Sequence, residues 1–230
     1  MIGLLIIICI SLVLLKVFKI DFSEFGYKPK SERLRSFVIG FSVSAIVCTV
    51  YFLLIIKSLD YNFKVNENYT VRDFLLGAWW TFRSVLTEEL LFRGALLILA
   101  IKYLGKHKAC LLSSIIFGVY HWFSYNVYGS LMPMIHTFLI TFIGGMMFAY
   151  AFAETRSLYL PFALHFGWNL FTITIFSEAP LGDQFLITSG GQPMGYLYIV
   201  FLLYQILVLP LFTFYYLKGK NNAIRYRYER

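Results

Sequence analysis

Charge is what this sequence has least of. Charged residues fill 14% of its 230 positions, against about 25% in an ordinary soluble domain. That shortage, beside 59% hydrophobic residues, 24 Phe and 17 Tyr, excludes a soluble globular enzyme. It also excludes a disordered chain, since such chains are poor in apolar residues. Cysteine is scarce too. Cys9, Cys48 and Cys110 all fall in or beside apolar stretches and form no C-x-x-C. This excludes a disulfide-stapled module and reads as small, unpaired side chains buried in helices. There is no H-E-x-x-H, no internal repeat, no low-complexity tract and no long linker.

What is there is a series of apolar runs about 20 residues long, the length that carries a helix across a hydrocarbon core. They cover 2–20, 36–56, 109–126, 131–152, 157–177 and 194–217, with a longer stretch at 73–105. The runs are continuous rather than alternating, which excludes barrel strands. Residues 2–20 lack a basic leader and a small-x-small cleavage site, so they read as a retained anchor. The stretch 73–105 would be about 50 Å long as one helix, too long for a single straight crossing. Either it crosses twice, or an interfacial helix at about 71–84, with Trp79, Trp80 and Arg83, leads into a span at about 86–104.

Charge placement arbitrates. Segments 16–35, 102–108 and 218–230 carry +3, +3 and +4, while 57–73 is neutral and 178–193 carries −2. Only a single crossing of 73–105 puts the three basic segments on one side, as the positive-inside rule asks. The fold expected is therefore all-α: a polytopic transmembrane bundle of about seven to eight helices with an intramembrane active-site cavity. Seven crossings would leave the N-terminus outside and the C-terminus inside. Residues 1–230 read as one membrane domain, with accessory spans in 1–70, a catalytic core in 71–178 and a last span at 194–217. The net charge of +8 is then a topology signal and a contact for anionic membrane lipid, not a nucleic-acid site. Asn68-Tyr69-Thr70 is a glycosylation sequon on the expected outer loop, relevant only in a glycosylating host. Abundant Lys, Ile, Phe and Tyr point to an AT-rich bacterial genome, hence to a bacterial cytoplasmic membrane.

Ionisable groups inside a membrane cost several kcal/mol and mark function by default. Glu88, Glu89 and Arg93 share one expected helix, and His121, His136 and His165 fall on three later ones. Glu89 and Arg93 are i,i+4 neighbours in the favoured order and can neutralise each other. Glu88 lies about 100° around the helix and is left spare, as a buried general base would be. The bland alternative puts all three at the membrane interface. His165 and Asn169 are also i,i+4 and point the same way. At 1.5 Å per residue, Glu88, His121, His165 and Asn169 reach overlapping depths. His136 sits near the start of its helix and reads as interfacial, and His107 lies in a basic loop. Glu88, His121 and His165 offer a zinc-type donor set. They suit equally a metal-free site in which Glu88 and His121 bind water while His165 and Asn169 hold an oxyanion.

Glu88-Glu89-Leu90-Leu91-Phe92-Arg93 has the E-E-x-x-x-R pattern, Phe117 to His121 the F-x-x-x-H pattern, and His165 to Asn169 the H-x-x-x-N pattern. In this order the chain resembles the CAAX-protease and bacteriocin-processing family of intramembrane endopeptidases, which includes the type 2 CAAX prenyl protease and lysostaphin resistance protein A. The resemblance covers about 75–175. It departs at Thr155-Arg156-Ser157, where the family often has T-G-S, a turn rather than a catalytic group. By the resemblance, Glu88 and His121 would activate water, His165 and Asn169 would stabilise the oxyanion, and Glu89 and Arg93 would shape the first motif. The family is often labelled metal-dependent, but a metal-free glutamate mechanism is favoured here. Zinc on Glu88, His121 and His165 is the alternative. The implied substrate is a CAAX-type or bacteriocin-related peptide or protein. The competing function is a non-catalytic immunity or peptide-binding protein using the same pocket. A proton-coupled transporter is disfavoured by the lack of an inverted repeat. Nothing in the sequence marks an oligomeric state.

Overall fold

An apolar segment in lipid must satisfy its own backbone, and a helix does so within the segment. The computed structural model describes residues 2–26, 28 and 30–228. It runs α1 (Ile2–Val17), α2 (Ser31–Ser58), β1 (Tyr61–Val65), α3 (Val71–Arg93), α4 (Ala95–Leu104), α5 (Lys106–Ser124), α6 (Leu131–Thr155), α7 (Tyr159–Leu170), β2 (Leu186–Gly190) and α8 (Leu197–Tyr228). Glu229 and Arg230, which were counted in the basic tail, lie outside the described residues.

Among the described residues, three helices are long and apolar enough to cross a membrane: Ser31–Ser58, Leu131–Thr155 and Leu197–Lys220. Large apolar side chains such as Val13, Val38, Ile46, Leu53, Leu131 and Phe214 are exposed, while Glu89, Arg93, Thr81 and Ser114 are fully buried. Apolar outside and ionic inside is the inverse of a water-soluble domain. The protein is an all-α membrane protein. Cys48 and Cys110 are buried as expected, but Cys9 is exposed. It sits on α1, most of whose surface is exposed.

Two features were not legible in the runs. The loops 59–70 and 176–196 form a two-stranded antiparallel ribbon, with Tyr61 opposite Gly190 and Val65 opposite Leu186. The short strands are separated by more than a hundred residues, so no local hairpin signal announces them. The stretch 73–105 also divides differently from expectation. No junction occurs at 84–86. α3 continues unbroken to Arg93, and the break falls at Gly94 with φ −82° and ψ −139°. A Cβ at Gly94 would collide with the Leu90 carbonyl oxygen, so glycine permits this break where another residue would not.

The ends of the bundle sort by charge. α3 starts beside the ribbon, where Asn66 N–H donates to the Phe185 carbonyl at 2.9 Å and Thr70 and Asp73 form a capping box. These reciprocal bonds from Thr70 hold the Asp73 carboxyl below its ordinary range. α4 finishes at the opposite end, where Tyr103 meets Phe18 edge to face. Ser36 contacts Tyr216 at 3.0 Å and Lys220 at 3.3 Å, which brings the start of the C-terminal tail to the foot of α2.

The turn that departs from the family pattern has a physical signature. Arg156 sits in the left-handed region at φ 47°, ψ 48°, where glycine is at no disadvantage. Its guanidinium reaches Glu24 at 3.4 Å in an exposed pair.

α2 and α7 pack closely because small residues line their seam. A Cβ at Gly167 would stand 2.7 Å from the Phe41 carbonyl oxygen. Ser44 donates to the Leu164 carbonyl across the same seam, the small-residue and polar contacts that bind helices in lipid. Gly167 lies two residues after His165, so this seam sets where the imidazole stands.

Candidate active site

The three sequence motifs fall on α3, α5 and α7, and the bundle brings their polar side chains together. Arg93 is the anchor. It is fully buried and its planar fork makes separate contacts. One arm reaches Glu89 Oε1 at 3.2 Å and the other donates to the Gly145 carbonyl on α6 at 3.2 Å. The guanidinium lies 4.2 Å from the centroid of Phe117 and 5.1 Å from that of Phe148, so its charge is met by a carboxylate and by ring faces.

The same Glu89 oxygen faces His165 Nδ1 at 2.9 Å. Helical spacing anticipated the Glu89–Arg93 pair but not this second partner, which comes from a helix 76 residues further along the chain. His165 also stacks on Phe148, with centroids 4.7 Å apart. His121 is fixed from its own helix, Nδ1 against the Phe117 carbonyl at 2.7 Å. A carbonyl or carboxylate oxygen only accepts, so the Nδ1 of each ring carries the hydrogen. Both rings therefore turn Nε2 inward.

Both Nε2 atoms face one oxygen. Glu88 Oε2 lies 3.7 Å from His121 Nε2 and 3.8 Å from His165 Nε2. It is buried and has no hydrogen-bond partner. A buried, unsatisfied acceptor carries a desolvation penalty that needs an explanation. Asn169 is half-buried one turn beyond His165 on α7, where the i,i+4 register sets it on the same face. α7 then loosens into a π-turn over Phe171–Ile175, a feature frequent at functional sites. His136, half-buried, and His107, exposed, stand apart, bonded to Tyr198 and Tyr150 respectively.

Sequence reasoning missed the supports: the Gly145 carbonyl, the Phe148 face and the Phe117 carbonyl. Only Phe117 left a signal, as the first letter of F-x-x-x-H, four residues before the histidine whose Nδ1 it holds.

Glu88, His121 and His165 are the donor types zinc accepts. Tetrahedral ligands at about 2.0–2.1 Å would stand about 3.3–3.4 Å from one another. The separations from Glu88 Oε2 are wider, 3.7 and 3.8 Å. No group of three His, Cys, Asp or Glu among the described residues is disposed to hold a metal ion. No step is derived through a metal.

Glu88 is reached through a cleft of about 290 Å³ lined by Gly3, Leu4, Trp80, Arg83, Ser84, Thr87, Glu88 and Tyr120. A second cleft, of about 460 Å³, shares Trp80 and Arg83 with it and runs toward the ribbon past Gly77, Asp73 and Asp183.

Comparison with known families gives one match. The model of the family described as type II CAAX prenyl endopeptidase Rce1-like matches residues 70–171, a stretch that includes all three motifs. No curated protein and no solved structure matches the chain.

Proposed function

We propose, from the match of residues 70–171 to the model of the type II CAAX prenyl endopeptidase Rce1-like family, that the protein is an intramembrane endopeptidase of glutamate type that works without a metal. The observation that carries the proposal is Glu88 Oε2, buried, unpartnered and nearly equidistant from two imidazole nitrogens on different helices. A carboxylate there can take a proton from a water that also bonds His121 Nε2.

The reaction follows from the positions. A water held by Glu88 and His121 gives its proton to Glu88 as its oxygen forms a bond to the peptide carbonyl carbon. The carbonyl electrons move onto oxygen, and that oxyanion is met by His165 Nε2–H and the Asn169 amide. For His165 to donate from Nε2 while Nδ1–H is held by Glu89, it acts as imidazolium. The cluster then carries two negative charges, Glu88 and Glu89, and two positive ones, Arg93 and His165. Collapse of the tetrahedral species breaks the C–N bond, and the proton on Glu88 passes to the leaving amine.

The substrate is a peptide or protein segment reaching the bilayer, of the CAAX-type or bacteriocin-related class. In the same proposal the chain crosses a bacterial cytoplasmic membrane seven times, with 71–178 as the catalytic core and lipid as its solvent. The contacts between Phe18 and Tyr103 and between Ser36 and Lys220 favour a shared side for the basic segments.

The test is Glu88→Gln, which keeps shape but cannot accept the proton. Cleavage of a peptide substrate should fall about 10²–10⁴-fold, with the melting temperature close to wild type. Cleavage at the wild-type rate would remove Glu88 as the base. An immunity phenotype that survives in the inactive variant would favour the binding role instead.

A further inference from the structure

Arg83 is the ionic group at the mouth of the site that the mechanism leaves unused. It lines both clefts and, with Trp80, is where they meet. On α3 it lies five residues before Glu88, an axial rise of about 7.5 Å. Its guanidinium forms no ion pair among the described residues, and its Nε is buried without a hydrogen-bond partner. Its guanidinium lies over the Trp79 ring, 5.9 Å from the centroid. Arg93, on the same helix, is met by a carboxylate, a carbonyl and three ring faces. Arg83 has only the one ring. Asp73 and Asp183 line the far part of the groove. Asp73 is about 15 Å away along the helix and already bonded to Thr70, and neither pairs with Arg83.

A guanidinium with unused donors is built for planar, bidentate recognition of a carboxylate. Leaving it unpaired in a low-dielectric cleft is costly. Because that cleft ends at Glu88, the partner that suits it is one that arrives with the bond to be cut. We infer that Arg83 is a specificity-determining residue that binds a carboxylate of the peptide substrate, close to the scissile bond. The inference rests on the peptidase reading above. At about 3.3–3.6 Å per extended residue, the distance to Glu88 together with the reach of the arginine side chain sets the carboxylate roughly two to four residues from the bond. The carboxylate comes from the chain terminus or from an Asp or Glu side chain.

Three fluorescein-labelled apolar peptides separate the sources: one with a free C-terminus and no acidic residue, one amidated with a single Glu in that window, and one amidated with Gln there. Cleavage is followed with wild-type protein, Arg83→Gln and Arg83→Lys, and binding by anisotropy on Glu88→Gln with and without Arg83→Gln. One carboxylate peptide should outperform the amidated Gln peptide, and which one does so names the source. Arg83→Gln should abolish that preference by raising KM about 10- to 100-fold, the scale of one charge-assisted hydrogen bond, with kcat little changed. Arg83→Lys should restore it in part. Equal losses on all three peptides would place Arg83 at the lipid interface and overturn the inference, as would a wild type with no carboxylate preference. Should wild type cleave none of the peptides yet bind carboxylates through Arg83, the peptidase reading falls and Arg83 stands. Cleavage of all three at one rate gives the reverse.

Discussion

His165 and Arg93 share a single atom, Glu89 Oε1, at 2.9 and 3.2 Å. One carboxylate oxygen thus ties the guanidinium of α3 to the imidazole of α7. It holds the hydrogen on His165 Nδ1 and leaves Nε2 directed at Glu88. The two adjacent glutamates consequently differ in kind. Glu89 is fully buried and engaged twice through Oε1, with Oε2 left unpartnered, while the unpartnered Oε2 of Glu88 faces two imidazole nitrogens at 3.7 and 3.8 Å.

Glu89→Gln should therefore behave unlike Glu88→Gln. It leaves Arg93 buried without its counter-charge, a loss of the order of 3–5 kcal/mol, and it replaces the carboxylate that orients His165 with a neutral, weaker acceptor. Melting in detergent should drop by many degrees and cleavage should fall with it. If Glu89→Gln melts at the wild-type temperature, the anchoring role assigned to Glu89 is wrong.

Gly167→Ala tests whether the seam between α2 and α7 sets the position of His165. The added Cβ would approach the Phe41 carbonyl oxygen at 2.7 Å and Ser44 Cβ at 3.1 Å, so the helices must part. Stability should decline by about 1–3 kcal/mol and kcat should fall. Gly219→Ala, where a Cβ meets nothing within 4 Å, serves as the control and should lose neither stability nor kcat.

Arg156→Gly should raise the melting temperature slightly. It relieves a left-handed residue at a cost of about 1–2 kcal/mol. It gives up an exposed ion pair with Glu24, a class of contact worth about 0–1 kcal/mol. A lower melting temperature would mean that the Glu24 contact outweighs the backbone strain.

Topology can be read by labelling single cysteines on intact cells, after Cys9, Cys48 and Cys110 are replaced by Ala. Lys19→Cys and Lys108→Cys should be protected from an impermeant reagent, and Glu67→Cys and Asp183→Cys should react. All four positions are exposed. Reaction of Lys108→Cys from outside would restore two crossings for the stretch 73–105.

What the sequence determined by itself was local. Continuous apolar runs dictate helices, because nothing else satisfies their backbone in lipid. The i,i+4 spacings put Arg93 on the face of Glu89 and Asn169 on the face of His165, and left Glu88 to one side. Spacing along one helix says nothing about which other helix will face it, and there the tertiary structure decided. The seam between Gly167 on α7 and Ser44 on α2 sets α7 at a depth where His165 meets Glu89. Packing of α5 against α3, through Ser113 on the Phe92 carbonyl, brings His121 Nε2 to the same Glu88 oxygen. The Gly94 break and the ribbon between β1 and β2 escaped the sequence for different reasons. Each depends on groups remote in the chain, or on a backbone clash that exists only once α3 is built.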